Sequence, residues 1–170
     1  MVKIVNIKGR QVFDSRGNPT VEADVTLSDG SVGSAIVSSG ASTGFNEAHE
    51  LRDKNLKYKN KSVFKAVKNI NSTIFKSLRN QNPYNQKKID NILIDLDGSK
   101  NKSKLGANAI LAVSIANCKA SAVSQKKEIY EYLSVSKKYS LPYPMMNIIN
   151  GGVHANNSLQ IQEFMIRPDK

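Results

Sequence analysis

Between Val21 and Leu27 the side chains alternate strictly: Val21, Ala23, Val25 and Leu27 are apolar, while Glu22, Asp24 and Thr26 are polar. A period of two puts one set on a buried face and the other in water, as in a half-covered strand. Asp29-Gly30 supplies a hairpin turn before a second strand over Ser31–Val37, and Lys3–Phe13 is read as a third, antiparallel to the first. Near Ser62 the period changes. Val63, Ala66, Val67, Ile70, Ile74 and Leu78 recur at helical spacing, with Ser62 placed to cap the first turn. Ile89, Ile92, Leu93 and Leu96 mark another helix, and Gly106–Val123 is apolar on nearly every face and rich in small residues, as suits a central helix closely packed by its neighbours. A short helix near Glu128–Leu133 gives way to a linker holding Pro142 and Pro144, then to two apolar stretches, Met145–Ile149 and Ile161–Ile166. Strands, then helices, then strands, with no internal repeat, predict an α+β domain over residues 1–138 with its three strands in hairpin order.

The 170 residues leave room for one well-buried domain, or for one plus the beginning of another. Mean hydropathy is −0.40, and no apolar run approaches the roughly 20 residues that cross a bilayer. The opening Met1–Arg10 is too regularly polar for a secretory leader, so a cytoplasmic protein is expected. A single cysteine, Cys118, excludes a disulfide framework and reads as a buried, inert thiol. The net charge of +11 could signal nucleic acid, but the lysines are scattered over helix surfaces and loops, and aromatics are only 6% of the chain with no stacking pattern among them. A solvated Lys/Asn-rich surface, and no nucleic-acid partner, is therefore the expectation.

Two motifs could carry chemistry. Gly40-Ala-Ser-Thr-Gly44 fits the five-residue nucleophile elbow and follows a strand, with Glu47–Arg52 after it read as helical. In that reading Ser42 is a hydrolase nucleophile, His154 the base and Asp95 or Asp97 its orienting acid. The elbow, however, projects from a deep parallel sheet, whereas only an antiparallel hairpin precedes Ser42. The second motif closes the chain, where His154 is followed by Asn156, Asn157 and the Gln162-Glu163 pair. Alternation along a strand would set Gln160, Gln162 and Phe164 on one face and Ile161, Glu163 and Met165 on the other, leaving a glutamate among apolar neighbours that is costly unless paired or functional.

Four longer segments settle between these readings. Asp14-Ser-Arg-Gly-Asn-Pro-Thr-Val-Glu22, Ser39-Gly-Ala-Ser-Thr-Gly44 with Glu47-Ala-His-Glu-Leu-Arg-Asp53, Leu105-Gly-Ala-Asn-Ala-Ile-Leu-Ala-Val-Ser114 and Pro144-Met-Met-Asn-Ile-Ile-Asn-Gly-Gly-Val-His154 closely resemble the enolases, in order and without large gaps. The resemblance runs over essentially the whole chain. It implies an enolase N-terminal-like domain over residues 1–138, followed at 139–170 by the first two strands of an incomplete TIM-like barrel.

Activity is implied as well: Mg²⁺-dependent dehydration of 2-phosphoglycerate to phosphoenolpyruvate, by a lyase that is a homodimer when complete. On the same grounds Ser38, Ser39, Gly40, Ala41, Ser42, Thr43 and Gly44 would form a lid loop, with Ser39 contacting Mg²⁺. His154 and Gln162 would contact substrate, and Glu163 would also assist departure of the hydroxyl group. Three departures stand out: Ser38 in place of a usual proline, which should loosen the loop, Asn156 in place of an aspartate, and Arg167 in place of an apolar residue. About 30 residues follow the first domain, against roughly 250 for a whole barrel. The family's lysine base, remaining acidic groups and phosphate-binding arginine would then lie beyond Lys170, leaving this chain alone inactive. The alternative is a non-catalytic enolase-like binding module.

Overall fold

A computed structural model describes residues 1–40, 44–136 and 138–168. Three strands, β1 (Ile4–Phe13), β2 (Pro19–Leu27) and β3 (Val32–Val37), form an antiparallel sheet in the order β1-β2-β3. The alternation on β2 has the expected result: Val21, Ala23, Val25 and Leu27 are all buried. On β1 a register irregularity between Ile4 and Asn6 lets Ile4 and Ile7, three apart, both turn inward. Asp14 shapes the β1-β2 turn by accepting from the backbone N–H of Arg16 (2.9 Å) and Asn18 (2.8 Å), and Gly17 takes the left-handed φ of 72° that the turn requires.

The helices are α1 (Phe64–Asn69), α2 (Phe75–Leu78), α3 (Gln86–Asp97), α4 (Ala107–Ser124) and α5 (Ile129–Leu133). A five-residue π-type turn, Ile70–Ile74, runs between α1 and α2. It tightens the sheet edge, because Asn71 reaches β1 and pairs with both backbone groups of Gly9, accepting from its N–H at 2.7 Å and donating to its carbonyl at 3.0 Å. That satisfies two groups that an edge strand otherwise leaves to water. The helical stripe is buried as expected at Ala66, Ile70, Ile74 and Leu78, but the cap differs. Asp53, not Ser62, accepts from the first-turn N–H groups of Phe64 (2.8 Å) and Lys65 (3.1 Å), while the Ser62 hydroxyl donates to Asp53 (2.9 Å). A carboxylate eleven residues upstream supplies the cap, a partner that local sequence cannot reveal.

The small residues of α4 admit a close approach to the sheet. A Cβ on Gly33 of β3 would fall 2.3 Å from the Ala116 carbonyl and 2.2 Å from the Ala120 nitrogen. Ala109, Ala112, Val113, Ala116 and Ala120 complete one core with β2 and the α1-α2 stripe. Cys118 is buried, and that burial, with a smaller contribution from Asp90, pushes its thiol pKa up, consistent with an unreactive group. One expectation fails in this unit. Glu47–Arg52 is not helical, so the strand-turn-helix context of a nucleophile elbow is absent. Phe13 lies edge-on to Tyr58 at 5.6 Å, and Tyr58 is 6.5 Å from Phe64, because the fold unites positions far apart in sequence.

The chain divides into two compact units, the first holding residues 1–39 and 46–133 and the second residues 40–45 and 134–170. In the second, β4 (Met146–Asn150) and β5 (Glu163–Ile166) pair antiparallel. Antiparallel neighbours need no helical crossover, and residues 151–162 join them through a loop carrying one 3-10 turn. The apolar side chains of both strands are exposed. Arg167 sets its guanidinium 5.1 Å from the centre of the Tyr143 ring, a stacking role for the charge that departs from the apolar pattern.

Candidate functional site

In the second unit, the turn after β4 is built for one backbone path. A Cβ on Gly151 would meet the Ile161 carbonyl at 2.5 Å, and Gly152 adopts a φ of 55°. The backbone N–H groups of Gly151 and Gly152 donate to the carbonyls of Gln162 (3.0 Å) and Leu159 (2.9 Å), which ties the turn to the approach to β5. A single 3-10 turn, Gly152–His154, then presents the histidine. Asn157 holds the loop from the other side by donating to the Asn150 carbonyl at 3.0 Å.

His154 stands between the two residues that sequence singled out. Gln162 Nε2 lies 2.7 Å from His154 Nε2, and Glu163 Oε1 lies 3.4 Å from His154 Nδ1. With the amide donating to Nε2, the ring proton sits on Nδ1, facing the carboxylate. Simple alternation would place Gln162 and Glu163 on opposite faces. They converge because Gln162 precedes the first residue of β5, where the backbone is not yet regular strand. The result is a chain of an amide, an imidazole and a carboxylate, a third to a quarter exposed at the latter two, able to hold or pass a proton at a surface.

The loop residues of the first motif separate. Ala41, Ser42 and Thr43 lie outside the described residues. Ser38 and Gly40 are exposed, and Gly44 has open space where a Cβ would go. Ser39 is half-buried and its hydroxyl is engaged twice: it donates to Glu50 Oε1 (2.7 Å) and accepts from Arg52 Nη2 (2.6 Å). Arg52 Nη2 also donates to Glu50 Oε1 (2.7 Å), and its Nη1 donates to the Pro19 carbonyl (3.0 Å) and to that of Lys61. Reasoning from sequence missed Glu50 and Arg52. Their signal was an acid and a base at i, i+2 spacing just after the loop.

The implied Mg²⁺ does not fit the groups present. Among the described residues no three His, Cys, Asp or Glu side chains gather to hold a metal. An ion on Ser39 would meet one carboxylate, Glu50, already paired with the Arg52 guanidinium at 2.7 Å, so the two charges there largely offset and leave little to attract a cation. The hydrolase arrangement is likewise unsupported. His154 Nδ1 faces Glu163, while the Asp97 oxygens accept from the backbone N–H of Ser99 (3.0 Å), Lys104 (3.1 Å) and Leu105 (2.7 Å).

Comparison with known proteins adds a family. Residues 4–133 match "Enolase, N-terminal domain" and residues 138–170 match "Enolase, C-terminal TIM barrel domain". Over 169 residues, 99% of the chain, it is 54% identical to Enolase 1 of Lactococcus lactis subsp. cremoris (strain SK11). It is also 54% identical to Enolase 2 of Lactococcus lactis subsp. lactis (strain IL1403). The aligned region is 40% of each relative's length, so the chain spans less than half of the curated relatives it matches.

Proposed function

The chain belongs to the enolase family, and from that premise we propose that it supplies the N-terminal side of a site dehydrating 2-phosphoglycerate to phosphoenolpyruvate. The observation that carries the reading is the convergence of Gln162, His154 and Glu163 at the turn between β4 and β5. In this role Gln162 and His154 hold the substrate, and Glu163 assists departure of the hydroxyl group as water. General acid-base assistance of that kind is worth roughly 10²–10⁴-fold. It does not replace removal of the proton on the neighbouring carbon.

The described residues form no Mg²⁺ site, so no step is routed through the ion. The division at residues 138 and 139, a homodimer in the complete enzyme, a cytoplasmic location and the lack of a nucleic-acid partner belong to the same proposal. No described helix is long and apolar enough to cross a membrane.

The test is phosphoenolpyruvate formation with excess Mg²⁺. The chain is assayed alone, then mixed with a separately expressed barrel fragment from one of the Lactococcus relatives, with the intact relative as control. Activity only in the mixture, lost with Glu163→Gln, supports a divided site. Turnover by the chain alone overturns it, and a mixture that assembles yet stays inactive favours a non-catalytic binding module.

A further inference from the structure

The segment after β3 leaves the sheet at Ser38, and at His49 and Leu51 it is fastened to the start of α4. The His49 carbonyl accepts from Ala107 N–H at 2.8 Å. Leu51 exchanges hydrogen bonds with the Asn108 amide, donating to Oδ1 at 3.2 Å and accepting from Nδ2 at 3.1 Å. Asp53 is committed to the first turn of α1. One side of the loop's base is therefore rigid. On the other side, Ser39 meets it: its hydroxyl bonds Glu50 and Arg52, eleven and thirteen residues further on.

We propose that Glu50 and Arg52 clasp Ser39 to close the neck of this loop, and that the Ser39 hydroxyl is committed to the clasp and not to a cation. A hydroxyl has one proton and two lone pairs. Here Glu50 takes the proton and Arg52 one lone pair, so a cation could reach only the remaining lone pair of an oxygen already polarised by a guanidinium, which makes a good fastener a poor metal ligand. Arg52 is the fixed member, since its other nitrogen reaches the backbone carbonyls of Pro19 and Lys61. A planar fork can serve these separated acceptors at once, whereas a lysine ammonium, a single point of charge, cannot. Glu50 and Arg52 are thus positioning residues: they set where the loop leaves the scaffold. This deepens the enolase reading, on which the loop's catalytic relevance rests, but the clasp itself requires no turnover.

The test uses the full 170-residue chain and amide hydrogen exchange at residues 38–40 and 46–50, with circular dichroism to confirm folding. Ser39→Ala and Arg52→Lys should each raise exchange at both edges of the neck by about tenfold, and the double variant should exceed neither single one. Ser39→Thr, which keeps the hydroxyl, should restore protection. In parallel, Mn²⁺ serves as a paramagnetic stand-in for Mg²⁺. No broadening centred on the Ser39 and Gly40 amides is expected, in the parent chain or in Ser39→Ala. Additive effects of the two substitutions, unchanged exchange, or Mn²⁺ broadening at Ser39 that vanishes in Ser39→Ala would overturn the proposal. None of these outcomes depends on activity, so a failed clasp and a failed enolase assignment are told apart.

Discussion

Asp97 shows how a buried carboxylate is kept charged. Burial alone would raise its pKa, but hydrogen bonds from Ser99, Leu105 and Lys104 outweigh that and hold it below the usual carboxylate range. A pKa lower in the folded than in the unfolded chain means that this stabilisation is fully present above about pH 4. It fades as pH falls through the lower folded value. Asp97→Asn should therefore cost on the order of 1–3 kcal/mol near neutral pH, and the cost should shrink below pH 4. Urea denaturation at pH 7 and pH 3 checks both the size and the sign. Sequence showed Asp97 as a candidate partner for His154. Its true partners are the N–H groups of the loop it caps, a choice set by backbone geometry that side-chain identity does not announce.

Elements were largely legible, because binary patterning records burial directly. Alternation on β2 and the α1-α2 stripe from Ala66 to Leu78 became the two faces of one core. The small residues of Gly106–Val123 correctly implied close packing, and Gly33 gives that packing its limit. Gly33→Ala must displace the α4 backbone, which no side-chain rotation can relieve, and should destabilise by about 1–3 kcal/mol. Thermal unfolding monitored by circular dichroism would measure it, and an unchanged midpoint would show that α4 shifts freely on the sheet. What patterning missed were contacts made across the chain: the Asp53 cap, the Asn71 pairing with Gly9, and the Arg52 hub. Each joins a polar side chain to backbone elsewhere in the chain, and period carries no information about such partners.

At the scale of the molecule, the two units differ in how they bury apolar surface. The first encloses a core of fully buried aliphatic residues. In the second, Met146, Ile148, Ile149, Phe164, Met165 and Ile166 are all 44% or more exposed. Large exposed apolar patches mark surfaces that other protein covers. The chain by itself should bind a hydrophobic dye and associate as its concentration rises, and replacing Ile148 and Phe164 with serine should reduce both without unfolding the first unit. Light scattering with dye fluorescence is the check. The candidate site is legible in the same uneven way: His154, Gln162 and Glu163 come together, whereas the metal does not find its ligands among the described residues.

The bonds between Asn71 and Gly9 link groups 62 residues apart. The two sheet hairpins can form quickly from neighbouring chain, but this strand edge is completed only once a distant helix has both formed and arrived. Contacts of that span close a long loop and tend to form late. Losing them should then leave the refolding rate nearly untouched and hasten unfolding. The π-type turn at Ile70–Ile74 would act less as a nucleus than as a latch, setting how long the sheet edge stays shut.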